Sequence, residues 1–492
     1  MPTMPLLRSL GVALLALPAC LSGQTSGSVA PADPSASFEQ LLRGRIESIR
    51  LGMTVRAGDD RLLARTALPD FYEGRAFASA WTAGPQARAR VDELLVSLER
   101  GRLHGLDPLD YHFDAVDSLR ARVFTGRGTV AERVDLELLA SDAFLVFGSH
   151  LLHGRVNPET IDPEWLANRR SATLHVVLEE AVSSGQVQER LYGLAPRQPR
   201  YATLVDAAVE LRALARDGGW PMVPSGPRLE LGVVDPRVPT LRERLGLGGD
   251  LPSAAVSEPE LFDEELDRAV RRFQERHGLE SDGVVGPATV TALNVPARER
   301  ARQIETNLER WRWLPEDLGR RHIEVNIAGF DVQVVEDGRV VRSHRAVVGR
   351  QYRETPIFSG SMTYLVLAPF WHVPPTIAAV DKLPLIKADP GVIAAQRMTL
   401  LSQATNQPVD PATVDWNAMT GSEFNRRYRL RQDPGPTNAL GDVKFMFPNK
   451  HNVYLHDTPS RELFQRVSRS FSSGCIRVQD PLALAEYLLA DQ

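Results

Sequence analysis

At 492 residues the chain exceeds what one ordinary hydrophobic core organises, so roughly two to four domains are expected. Hydrophobic residues at 43% and charged residues at 24% are the proportions of a soluble globular protein, not of a disordered one. A formal net charge of −5, with no local run of Lys and Arg, excludes a broadly basic surface for nucleic acid.

Residues 1–23 read as an export signal. Arg8 supplies a thin positive start, and Leu10 to Ala19 is an apolar stretch too short to span a bilayer. Leu17-Pro18-Ala19-Cys20 resembles the cleavage box of a bacterial lipoprotein, so the expectation is either a lipid anchor at Cys20 or ordinary signal cleavage. Both routes end in the periplasm or cell envelope. No later run is long and charge-free enough for a membrane helix, which leaves Cys20 as the expected membrane contact.

Residues 24–37 (QTSGSVAPADPSAS) have the composition of a flexible linker. From 38 to 229 apolar residues recur at helical spacing, as in Val91 to Leu98 and Val134 to Leu139, predicting an all-α scaffold. His150 and His153 are read there as ordinary helix residues, because no further ligand types gather at metal spacing.

Residues 230–296 predict a small three-helix unit. Pro239 opens the first helix, and Asp263 caps a second that carries Phe262, Leu266, Val270 and Phe273 on one face. Pro287 opens the third after a tight Asp282-Gly283-Val284-Val285-Gly286 turn. This helical pair, turn and short helix resemble the peptidoglycan-binding domain of cell-wall enzymes. A linking helix is expected over 297–320.

From 321 to 492 the period changes to two. Ile323, Val325 and Ile327 alternate, Asp337-Gly338 is a hairpin signal, and Val340 to Val348, Met362 to Val366 and Val443 to Phe447 read as strands. A Pro/Asp-rich, partly helical insertion over 377–432 is expected to form a lid. The fold class is thus multi-domain α+β: helical scaffold, three-helix domain and β-rich C-terminal domain with an inserted lid.

The chain holds two cysteines, Cys20 in the leader and Cys475 near the C-terminal end, so no disulfide forms within the mature protein. Asn452 to His456 reads as a strand that puts Tyr454 and His456 on one face. Nineteen positions beyond His456 stands Cys475, within Phe471-Ser472-Ser473-Gly474-Cys475-Ile476-Arg477. A short return between them brings imidazole and thiol within hydrogen-bond reach. A free thiol has a pKa near 8.5, so a neighbouring base is what makes it a nucleophile at neutral pH. The amides around Ser473, Gly474 and Cys475 are candidate oxyanion donors, Tyr454 a further donor, and Arg477 a fork for a substrate carboxylate. Asp457 alternates to the face opposite His456, so a backbone carbonyl is the better candidate for orienting the imidazole.

Tyr454-Leu455-His456 followed by Ser472-Ser473-Gly474-Cys475-Ile476-Arg477 resembles the signature of the L,D-transpeptidase catalytic domain. The family's usual Ser-His-Gly-Cys is here Ser-Ser-Gly-Cys, the form associated with large Gram-negative members. Trp371 to Thr376, Pro434 to Gly441 and Tyr454 to Pro459 match that subgroup as well. The resemblance implies Cys475 as nucleophile, His456 as base, Ser473-Gly474-Cys475 around the oxyanion, and Trp371 lining the cleft.

It also implies peptidoglycan stem peptides as donor and acceptor. The donor tetrapeptide acylates Cys475 and releases D-Ala, and a diamino-acid side-chain amine resolves the thioester to a 3→3 cross-link. A carbapenem is the implied covalent inhibitor. No metal or cofactor is signalled, since HExxH, CxxC and P-loop patterns are all missing. Two alternatives stay open: an amidase or carboxypeptidase using the same thioester, and a noncatalytic peptidoglycan-binding scaffold. The sequence does not choose among stem amine, lipoprotein and water as acyl acceptor.

Overall fold

The structure, a computed structural model, describes residues 37–161, 169–252 and 257–490. The expected export signal and nearly all of the linker lie outside these residues. No described helix is long and apolar enough to cross a membrane.

The N-terminal part is helical and is built around Val130–His153. Thr129 and Glu132 form a reciprocal capping box at its start, and apolar residues run round almost its whole circumference, so it is buried on nearly every side. Its buried Glu137 carboxylate accepts the amides of Trp81 (3.1 Å) and Thr82 (3.1 Å) and the Ser79 hydroxyl (2.9 Å), which pins the preceding loop to the core.

The expected linking helix, Ala297–Arg312, is more than a connector. Leu308 joins the scaffold core, and the fully buried Arg312 reaches the His104 carbonyl, Tyr201 and Glu309. Gly154 ends the central helix at φ +80, and a Cβ there would lie 2.4 Å from Glu309. Only glycine allows this close approach. His150 and His153 bond to Tyr111 (2.9 Å) and to the Arg170 carbonyl (3.0 Å), as structural helix residues do.

Val238–Leu247, Glu264–Arg276 and Pro287–Leu293 form the small helical domain. Asp263 caps the middle helix by accepting the Leu266 amide at 2.9 Å. Phe262, Leu266, Val270 and Phe273 are all buried in its core.

In the C-terminal domain the strands are β1 (Arg321–Asn326), β2 (Asp331–Glu336), β3 (Arg339–Gly349) and β4 (Tyr364–Leu367). There follow β5 (Trp371–His372), β6 (Met398–Ser402), β7 (Tyr428–Gln432), β8 (Val443–Met446), β9 (Leu455–His456), β10 (Ser470–Ser472) and β11 (Ile476–Val478). The main sheet runs β1-β2-β3-β11-β9-β8-β4, with β10 also on β3. Its core holds Val332, Val334, Phe445, Leu455, Ile476 and Leu484.

The insertion differs from its sequence reading in one respect. Besides short helices it contributes β6 and β7, which form a separate sheet β5-β7-β6 with the preceding Trp371–His372 strand over an apolar core of their own. Trp371 belongs to that sheet. The expected strand from Asn452 shortens to β9, because Asn452 adopts φ +55 and the Asn449 carboxamide folds the preceding turn by accepting the His451 and Val453 amides.

Candidate active site

Register builds the site. In β9 and β11, which run parallel, Leu455 lies opposite Ile476 and His456 opposite Arg477. In β8, antiparallel to β9, Phe445 lies opposite Leu455 and Lys444 opposite His456. Successive side chains alternate between faces. Phe445, Leu455 and Ile476 therefore enter the core, while Lys444, Tyr454, His456, Cys475 and Arg477 share the opposite face.

Cys475 sits half-buried just ahead of β11, in a loop bent by Gly474 at φ +114, which favours glycine. Thr355 clamps that loop: its hydroxyl donates to the Gly474 carbonyl (2.8 Å) and accepts the Gly349 amide (2.9 Å). Ser472 Oγ accepts the Gly474 amide at 3.2 Å and donates to the Cys475 carbonyl at 2.5 Å. The Gly474 amide is thus committed within the loop, which corrects its expected role as an oxyanion donor. Among the described residues the Ser473 and Cys475 amides carry no hydrogen bond and remain available.

Burial pushes the thiol of Cys475 up, against the opposing pull of the Tyr454 amide and hydroxyl and of the Lys444 and Arg477 charges. The sulfur lies 3.8 Å from the Asn452 carbonyl. No hydrogen bond joins it to His456 among the described contacts, so the expected direct bond is not made in this state. Buried His456 is instead held through Nδ1 by the Asp457 carbonyl. Burial and the Arg477 charge pull its pKa down to about 3, against the Asp457 carbonyl, so the imidazole is neutral with Nε2 free of that bond. The Asp457 carboxylate serves the fold. It accepts the Asp442 amide at 2.9 Å, and a Cβ on Gly441 would lie 2.3 Å from it.

The Tyr454 ring packs edge-on to His456, with centroids 5.6 Å apart. Its hydroxyl interacts with both Cys475 and the Trp371 side chain. Trp371 itself is buried in the insertion's core, so it bears on the cleft through Tyr454 and not as the open lining surface expected. Arg477 forms no ion pair among the described residues, and its Nε is buried without a partner. The Ser473 hydroxyl is exposed and accepts from Arg353 (3.1 Å), whose guanidinium also pairs with Asp381 of the insertion. Arg350 adds a second contact to Asp381 at 3.4 Å.

Sequence reasoning missed Lys444, Thr355, Arg353 and Asp381. Lys444 had one available signal, its alternation with Val443 and Phe445, but its place beside His456 follows only from strand order. No group of His, Cys, Asp and Glu among the described residues has the geometry to hold a metal ion.

Residues 320–491 match the L,D-transpeptidase catalytic domain, 235–293 the peptidoglycan-binding domain and 66–207 the scaffold domain. A Haemophilus influenzae protein named as an L,D-transpeptidase is 37% identical over 189 residues. That match covers 38% of this chain and 37% of the relative, so the two are alike over little more than a third of their lengths. A crystal structure of an L,D-transpeptidase from Xylanimonas cellulosilytica is 21% identical and is matched over 54% of this chain and 92% of its own, with a TM-score of 0.16. So low a score carries no argument about the fold. The domain that bears the Cys475 face, residues 320–491, is the one the first match identifies as an L,D-transpeptidase catalytic domain.

Proposed function

We propose that the protein is an exported L,D-transpeptidase that works through a Cys475 thioester. The observation that carries the reading is the placement of Cys475, His456, Tyr454 and Arg477 on one face of the sheet, with Arg477 left unpaired. The Cys475 sulfur attacks the carbonyl of the third residue of a tetrapeptide stem. His456 Nε2 takes the thiol proton and returns it to the departing D-Ala amine. The free Ser473 and Cys475 amides meet the developing oxyanion, and the Arg477 fork fixes a stem carboxylate. The side-chain amine of a second stem's diamino acid then attacks the thioester, forming the 3→3 amide and releasing the thiol.

The helical domain at 230–296 holds wall material near the cleft. The working site is the periplasmic face of the cell envelope, reached by export and either free or anchored by lipid at Cys20. Sacculi incubated with the protein, digested and resolved by mass spectrometry should yield 3→3 cross-linked dimers and free D-Ala. Shortened stems with no dimers would favour the amidase instead.

The insertion over 377–432 acts as a lid. Arg353 bridges it to the nucleophile loop, touching Asp381 on one side and Ser473 on the other. Acylation of Cys475 should therefore slow hydrogen exchange across 377–432. Unchanged exchange throughout that segment would leave it a spacer.

A further inference from the structure

The cleft holds a cation that the proposed chemistry does not use. Lys444 is half-buried on β8, and its Nζ lies 3.8 Å from the centroid of the Tyr454 ring. It forms no ion pair or hydrogen bond among the described residues. A half-buried ammonium held on an aromatic ring beside a thiol, without a counter-ion, is placed to stabilise negative charge that forms there.

We propose that Lys444 is a positioning residue for the nucleophile: its ammonium, seated on the Tyr454 ring, favours the thiolate of Cys475 and keeps His456 uncharged. The proposal rests on the reading of Cys475 as nucleophile.

The surroundings support it. From β9 the groups facing Lys444 are Tyr454 and His456; from β11 they are Cys475 and Arg477; from β5 the exposed His372 feels the same charge, with Arg429 and Arg431 behind it. Cys475 is the one acidic group that raises the lysine's own proton affinity, which burial lowers. The Asp381 carboxylate of the insertion is engaged elsewhere, pairing with Arg350 and Arg353. The cation–π seat fixes the ammonium without neutralising it, since an aromatic face attracts a cation but carries no net charge. The same ring carries the hydroxyl that interacts with the sulfur, so lysine, tyrosine and thiol form one electrostatic unit. A second positive group there disfavours imidazolium, as burial also does at His456, and opposes the burial that pushes the Cys475 thiol up.

The test is the rate of iodoacetamide alkylation at Cys475 in the full-length protein across about pH 6 to 10, where cysteine thiols titrate. Peptide mass spectrometry separates Cys475 from Cys20. Lys444→Met should react about tenfold more slowly at neutral pH, with its profile displaced upward by about one unit and meeting the wild type at the alkaline end. Lys444→Arg should stay within about threefold of wild type, because it keeps the charge and the aromatic contact. D-Ala release should fall in parallel with alkylation.

An unchanged alkylation profile in Lys444→Met, with a raised KM, would overturn the proposal in favour of a substrate contact. Equal loss in the Arg and Met variants, both folded by circular dichroism, would also overturn it and make the role one of packing. If the Met variant does not fold, Lys444→Gln is read by the same criteria. Alkylation needs no turnover, so a protein that alkylates as expected but never transfers D-Ala-terminated stems would sink the transpeptidase reading and leave this one standing.

Discussion

Cys475→Ala is expected to abolish D-Ala release and cross-linking together while leaving the fold in place. The half-buried side chain touches the Asn452 carbonyl at 3.8 Å and the Tyr454 amide and hydroxyl, while the clamps that hold its loop come from Thr355 and Ser472. Its loss should therefore change the unfolding temperature little. A carbapenem, whose strained amide imitates an acyl donor, should add one inhibitor mass to the wild type and none to the variant. The mature domains offer no second thiol, so intact-mass measurement reads the site directly once Cys20 is removed or lipidated. Adduct on both proteins would remove Cys475 from the mechanism.

The next largest effect belongs to His456. Replacing it by Ala should lower kcat/KM by about a thousandfold, since a positioned general base contributes on the order of a hundred to ten thousand. It also leaves the Asp457 carbonyl without its donor, at about 1–2 kcal/mol of stability.

The pH dependence separates this histidine from an ordinary one. With its pKa near 3, the wild-type rate should show no step at the usual imidazole value and should instead climb toward alkaline pH as the raised thiol ionises. A step near 6.5 that disappears in His456→Ala would contradict a neutral resting imidazole. Stability also rises with pH, but over a lower range. The unfolded imidazole binds a proton below about pH 6.5 and the folded one only near 3, so His456 supports the fold above 6.5 and loses that support as pH falls between the two values.

Several parts of the molecule were legible from residue order alone. Alternation at Ile323 to Ile327 and at Val443 to Phe447 marked strands, and the face of Phe262, Leu266, Val270 and Phe273 marked a helix, because solvent exposure writes its period directly into nearby residues. The Asp282–Gly286 turn and the lone Cys475 behind His456 were equally readable. Each is local, or depends on residue types scarce enough to stand out.

Tertiary structure alone decided the rest. The insertion's sheet joins Trp371–His372 to Tyr428–Gln432 across a long stretch of chain, and that pairing buries Trp371 instead of opening it to the cleft. The Gly474 amide is committed because Ser472 folds back on it, although both residues stand in the motif that suggested an oxyanion hole. Lys444 lies a dozen residues before His456 with no motif to mark it, and only antiparallel register sets the two side by side. Leu308 and Arg312 read as parts of a linker, yet they complete the scaffold core. Periodicity tells a residue which side of its own element it occupies. Which element lies against that side is settled by non-local pairing, where the gain comes from burying two surfaces together and appears in neither segment by itself.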